Sequence, residues 1–259
     1  MVENYIRKVE IIINLDCNMR CRMCDGWKLL APKKPPALED FKKTFINLKN
    51  WLGDSFRIDF AGGEPFLRED ILDIANIAGE MGIKTSIITN GSLLSGEKIK
   101  EIINSKLDTL VLSIDSLDNS KHDYMRGVEG VSNKVISSAE LLLKLSKRRV
   151  KPLSLNIASI ISKYNKDDLI PLIKWVDENG FDSIIFQAIN DTFFWNIPKN
   201  YDSKLWPLNK DEVNDVNAII EEIKSVKDTN IGKRIINTKE QLSLIQDYFR
   251  RMHWMKNVR

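Results

Sequence analysis

Residues 9–24 read Val9-Glu-Ile-Ile-Ile-Asn-Leu-Asp-Cys17-Asn-Met-Arg-Cys21-Arg-Met-Cys24, an apolar run that passes straight into a loop holding all three cysteines of the chain. A short stretch rich in Val, Ile and Leu predicts a strand. Thiols just past its carboxyl end sit where open α/β sheets and barrels build their sites. The CxxxCxxC spacing suits three thiolates on three irons of one cubane cluster, which leaves the fourth iron without a protein ligand. A zinc knuckle is the alternative, since three cysteines with His122 or His253 complete a tetrahedral set. The cysteines alone leave both open.

Outward from this stretch the chain alternates β-rich and amphipathic segments six times. Strands are expected at 9–15, 56–61, 84–89, 109–114, 152–159 and 182–188, each short and most bounded by polar or glycine residues. Between them, Leu38, Phe41, Phe45, Leu48 and Trp51 recur at three- and four-residue steps, the spacing of one buried helix face. Further helices are expected at 71–81 with Gly82 as a left-handed cap, at 97–103 behind Ser95, at 135–145, and at 169–176 closing on Asn179-Gly180. Strands alternating with helices imply right-handed crossovers and a parallel sheet, either doubly wound or an open partial barrel. Residues 190–210 break the rhythm with Phe193, Phe194, Trp195, Tyr201 and Trp206, and two helices follow near 211–224 and 239–251. The aromatic segment is expected to pack the open side of the sheet, with a lid as the alternative. The last residues are apolar for a free end, so the natural polypeptide is expected to continue or to dock on a partner.

At 259 residues and 43% hydrophobic, the chain can bury one sizeable core. A net charge of +3, from 39 basic and 36 acidic side chains, makes no case for nucleic acid or a membrane surface. No apolar run approaches the ~20 residues of a bilayer span, and the N-terminus lacks a signal-peptide core. An odd cysteine cluster does not read as a secreted disulfide framework. A cytoplasmic location is the expectation.

Other strand ends carry candidate ligand contacts. The second expected strand ends in Ala61-Gly62-Gly63-Glu64-Pro65, where two residues without Cβ allow close backbone approach and Glu64 adds an acceptor. Asn90-Gly91 follows the third. The fourth carries Ser113 and Asp115, two residues apart and hence on one face of the strand, where a hydroxyl and a carboxylate suggest polar ligand contact. Taken singly, each is also an ordinary turn or loop cap.

Together these motifs resemble the radical S-adenosylmethionine (SAM) superfamily, over about residues 10–190. Softer matches are Cys24-Asp-Gly-Trp-Lys28, Glu64-Pro-Phe-Leu-Arg68 and His122-Asp-Tyr-Met-Arg-Gly127. The last is similar to the branch of peptide-modifying maturases with a C-terminal SPASM or twitch extension. The resemblance implies an α/β fold, a partial (β/α)6 TIM-like barrel of parallel strands over residues 1–190, with a C-terminal helical extension over 191–259. Relatives with those extensions hold extra clusters on late cysteines. None follows Cys24 here, so the chain is expected to be either the core of a longer protein or a complete single-cluster enzyme.

The resemblance also implies roles. Cys17, Cys21 and Cys24 would hold a [4Fe-4S] cluster, and the amino and carboxylate groups of SAM would chelate its open iron. Gly62, Gly63, Glu64 and Pro65 correspond to the segment that receives the amino group, and Asn90 to the third-strand turn. Ser113, with Asp115 beside it, corresponds to the fourth-strand contact to SAM. Arg126 would pair with the SAM carboxylate. Asn156 and Gln187 would reach the ribose or adenine, unless they are buried polar groups satisfied by backbone. Met23 departs from the aromatic found in many relatives. No catalytic side chain is expected beyond the cluster and SAM. The implied chemistry is reductive cleavage of SAM to a 5′-deoxyadenosyl radical that abstracts hydrogen from a substrate, in peptide, protein or cofactor maturation. It would need a low-potential electron donor of flavodoxin or ferredoxin type and a site closed to oxygen.

Overall fold

The computed structural model describes residues 6–29, 35–147, 149, 151–190 and 202–256, with side chains as far as residue 251 in the last helix. Six strands alternate with helices: β1 (Lys8–Asn14), α1 (Leu38–Leu52), β2 (Arg57–Gly62), α2 (Ile71–Glu80), β3 (Lys84–Thr89), α3 (Gly96–Asn104), β4 (Thr109–Ser113), α4 (Asn119–Arg126), α5 (Val131–Ser146), β5 (Ser154–Ile161), α6 (Leu169–Asn179), β6 (Ser183–Ala188), α7 (Lys210–Val226) and α8 (Lys239–Lys256). The strands form one parallel sheet in strict chain order, β1-β2-β3-β4-β5-β6. A doubly wound sheet reverses its strand order at a switch point. This one never does, so the partial barrel is the architecture.

In β4, β5 and β6 burial alternates with the two-residue period of a pleated chain, whereas β2 and β3 each bury three residues in a row. In β4 Leu110 and Leu112 are buried while Thr109, Val111 and Ser113 are half-buried. In β5 Leu155, Ile157, Ser159 and Ile161 are buried, with Ser154, Asn156, Ala158 and Ile160 between them. In β4 and β5 the more exposed face is also the more polar one. On β2 the apolar face holds Ile58 and Phe60, and Phe60 lies 6.4 Å from the ring of Phe45 in α1. Fully burying a phenylalanine contributes roughly 1.5–3 kcal/mol.

By its packing the chain divides into two compact units. The first comprises Met1–Met19, Gly26–Leu112 and Ser137–Leu155, and the second Arg20–Asp25, Ser113–Ile136 and Asn156–Arg259. In the first, Ser95 caps α3 by accepting from Lys98 N at 3.1 Å, and α2 runs out at Gly82 in the left-handed region (φ 76°). In the second, the exposed edge of β6 is covered rather than left open to unwanted pairing. Asn237 accepts from Phe186 N at 2.7 Å and returns a bond to Phe186 O at 2.9 Å.

Expected spans differ from these mainly at their ends. β3 starts and stops where the sequence places it, and β5 starts two residues late because Pro152 cannot donate to a ladder. Among the described residues, α4 is the α-helix that the hydrophobic pattern does not indicate. It is short and polar, framed by Asp118, which accepts from Ser120 N and Lys121 N, and by Gly127 in the left-handed conformation. Phe193, Phe194, Trp195, Tyr201 and the side chain of His253 lie outside the described residues, whereas Trp206 is 3% exposed. Among the described residues no helix is long and apolar enough to cross a membrane.

Candidate metal centre and its supports

The segment leading to Cys17 belongs to the first unit and is fixed there by main chain. Gly63 N donates to Asn14 O at 3.0 Å, Glu64 N to Asp16 O at 2.7 Å, and Asn14 Nδ2 to Glu64 O at 2.9 Å. Gly62 and Gly63 are glycines because this approach is so close. A Cβ on Gly63 would meet Asp16 O at 2.0 Å, and one on Gly62 would meet Asn14 O at 2.3 Å, at a φ of 120° that side chains rarely adopt. The backbone that comes near these two residues is thus the chain's own.

Glu64 is fully buried. Its carboxylate accepts from Phe66 N at 3.1 Å, Thr89 Oγ1 at 2.7 Å and Asn90 N at 2.8 Å, joining the end of β2 to the end of β3. Asn90 carries the link onward. Its Oδ1 accepts from Ser92 N at 2.9 Å and its Nδ2 donates to Asn18 Oδ1 at 2.9 Å, while Asn18 Nδ2 donates to Ser92 Oγ at 2.8 Å. Asn18, immediately after Cys17, is thereby held by two residues of the β3 turn. Asn14, Asn18, Thr89 and Ser92 are supports that sequence reasoning missed. The only sequence signal was a polar residue interrupting an apolar strand.

In the second unit, β4 ends at Ser113, so strand alternation does not carry Asp115 onto the face that Ser113 shares with Val111. Asp115 is 0% exposed instead. Its Oδ1 accepts from Ile160 N at 3.0 Å, its N–H donates to His122 Nδ1 at 3.3 Å, and its carbonyl accepts from Asn165 Nδ2 at 2.7 Å. Arg126 Nε lies 2.8 Å from Asp115 Oδ2, an ion pair whose alignment falls short of a hydrogen bond. The carboxylate that Arg126 meets in this structure is therefore Asp115. Burial opposes its charge, but Asp115 and the nearby Cys21 outweigh that and raise the guanidinium pKa above its ordinary value.

His122, weighed above as a zinc ligand, is 1% exposed and spends Nδ1 on Asp115 N. Burial first, then the positive charge of Arg126, push its pKa down from 6.5 to about 4, against the opposing pull of Asp115 and Asp123. A base whose folded pKa is depressed contributes stability that is intact above its unfolded pKa and lost as pH falls through the folded one. Lowering the pH from 7 to 4 should therefore cost the wild type about 3 kcal/mol through this group. His122→Asn keeps an acceptor for Asp115 N and does not titrate. Urea denaturation should show that extra acid loss in wild type and not in the variant, and parallel pH profiles would contradict the assignment.

Ser113, Asn156 and Gln187 all lie on the less buried face of their own strands, with Gln187 exposed. None of the three cysteines is in a disulfide. Cys17 and Cys21 are partly buried and Cys24 is exposed, and Met19 N donates to Cys17 Sγ at 3.4 Å. Among the described residues no three or more His, Cys, Asp and Glu side chains converge on a single ion. Three thiols with an amide N–H at one sulfur and a guanidinium beside another fit an anionic iron–sulfur cluster.

Known proteins bear on these residues. The chain is 34% identical over 170 residues to an S-adenosylmethionine-dependent nucleotide dehydratase of Selenomonas ruminantium, covering 64% of this chain and 60% of that one. It is 27% identical over 164 residues to an AdoMet-dependent heme synthase of Methanosarcina barkeri, covering 63% of this chain and 45% of that one. Thus the chain spans only about half the length of these enzymes. Among solved structures, Streptococcus suis SuiB bound to S-adenosylmethionine has a TM-score of 0.67 at 21% identity, over 87% of this chain and 49% of that one. At that identity the likeness shows the fold. Residues 11–183 match the Radical SAM superfamily model, and this chain belongs to that superfamily, whose members use a [4Fe-4S] cluster and SAM.

Proposed function

We propose that this chain carries out radical SAM chemistry, with Cys17, Cys21 and Cys24 as the cluster ligands. When bound, the cluster and SAM supply one-electron chemistry: reductive cleavage of the sulfonium and abstraction of a substrate hydrogen by the 5′-deoxyadenosyl group. The observation that carries this reading is the arrangement of supports around the cysteine segment. In the first unit Gly62, Gly63, Glu64 and Asn90 brace residues 14–18. Because the Glu64 carboxylate is buried and has three donors, the Gly62-Gly63-Glu64-Pro65 segment would meet the SAM amino group through main-chain carbonyls. Ser113, Asn156 and Gln187 would offer hydroxyl and amide groups from the open strand faces. A low-potential flavodoxin or ferredoxin would supply the electron, and the substrate is a peptide side chain or a small organic molecule. SuiB has been solved with its precursor peptide, whereas the relative of highest identity named above acts on a nucleotide.

Anaerobic reconstitution tests the metal assignment. The wild type should take up iron and acid-labile sulfide in equal amounts and gain broad visible absorbance, and Cys21→Ala should lose most of both. Stoichiometric zinc without sulfide would replace this reading with that of a structural or regulatory metal protein.

A further inference from the structure

Cys21 lies in the segment Arg20–Asp25 of the second unit, which is fastened by main chain to the C-terminal end of α4. Arg20 N donates to Arg126 O at 3.2 Å, Arg22 N to Met125 O at 2.9 Å, and Arg22 Nε to Tyr124 O at 3.1 Å. The last carbonyls of a helix have no intrahelical donor, and here the cysteine segment supplies them. Gly127 lets the two lie flush, since a Cβ there would stand 2.1 Å from Arg20 O. The side chain of Arg126 lies against Asp115, at 2.8 Å from Nε to Oδ2, and is close enough to Cys21 for that thiol to help raise the guanidinium pKa. Asp115 is itself locked by Ile160 N and Asn165 Nδ2. A guanidinium is a rigid fork of five donors, so one edge can meet a carboxylate while another N–H meets sulfur.

We propose that Arg126 is a positioning residue for the cluster: braced by Asp115, it aims a permanent positive charge and an N–H at the Cys21 sulfur and raises the reduction potential of the metal bound there. The inference rests on the reading of Cys21 as a cluster ligand and gives Arg126 a different partner from the SAM carboxylate. Hydrogen bonds to ligand sulfur, and net charge, are among the factors that set iron–sulfur potentials. A cation at the sulfur stabilises the reduced cluster, which carries one more negative charge.

The test uses reconstituted wild type, Arg126→Gln and Arg126→Lys, measured without SAM for iron, sulfide and midpoint potential, and then for SAM affinity. All three should hold the same iron and sulfide. The midpoint of Arg126→Gln should move to a more negative value, with Arg126→Lys between it and wild type. Equal midpoints would overturn the proposal, as would lost SAM affinity at unchanged midpoint, which assigns Arg126 to the SAM carboxylate. If Arg126→Gln does not fold, Arg126→Lys decides on the same criterion, since it keeps a cation but loses the fork. A wild type that binds zinc instead of iron and sulfide overturns the cluster reading itself, and this inference with it.

Discussion

Replacing Gly63 by alanine should dislodge the chain just ahead of Cys17 and largely abolish cluster assembly. The added Cβ would stand 2.0 Å from Asp16 O, 2.5 Å from Asp16 C and 2.9 Å from Leu15 C. All three are backbone atoms, so no side chain can swing aside. Relief requires residues 15–16 to move, and that movement breaks the bonds from Gly63 N to Asn14 O and from Glu64 N to Asp16 O. Overpacking in a close-packed region costs typically about 1–3 kcal/mol, and the lost hydrogen bonds add about 1 kcal/mol each. Gly53→Ala is the control: its φ is 73° but no atom lies within 4 Å of the added Cβ, so only a backbone cost of about 1–3 kcal/mol applies. Denaturation together with iron content per chain checks both variants. Wild-type iron content in Gly63→Ala would mean that the approach of Gly63 to Asp16 does not hold the cysteine segment.

The second large effect is expected at Glu64. Its carboxylate is 0% exposed and serves Phe66 N, Thr89 Oγ1 and Asn90 N together. Glu64→Ala would strand these donors where water does not reach, at about 1–3 kcal/mol for each one left unsatisfied. A loss of roughly 3–5 kcal/mol is therefore expected, a large part of the total stability of an ordinary domain. Glu64→Gln keeps one acceptor oxygen but turns an amide NH2 toward groups that already donate, so its loss should be intermediate. Urea midpoints for the three proteins test the order. A Glu64→Ala variant within about 0.5 kcal/mol of wild type, the range of an ordinary surface substitution, would show that the carboxylate is not a brace.

These two residues show how far the sequence could be read. The strand alternation that places Ser113, Asn156 and Gln187 on the open faces follows from a two-residue period and was legible. So was the position of the cysteines directly after β1. The work done by Gly62 and Gly63 was not, because a glycine pair permits close approach without saying what approaches. Asn18 meets Asn90 across 72 residues, and no local pattern records a pairing of that range. Asp115 illustrates a different limit. Its i, i+2 spacing from Ser113 implies a shared face only while the strand continues, and β4 stops at Ser113. The helix α4 has too few apolar residues for periodicity to register, although its caps Asp118 and Gly127 are plain in the sequence. What the structure adds is thus largely the scaffolding around the cysteines: the side chains of Glu64, Asn90 and Asp115 bind the protein's own chain.

The central claim is that the cysteine segment serves to cleave SAM. Its most direct test is the amount of 5′-deoxyadenosine formed from SAM under anaerobic dithionite reduction, compared between reconstituted wild type and a Cys17→Ala/Cys21→Ala/Cys24→Ala variant. The account predicts 5′-deoxyadenosine and methionine from wild type and neither above background from the variant. Equal formation in both, or none from a wild type loaded with iron and sulfide, would contradict it.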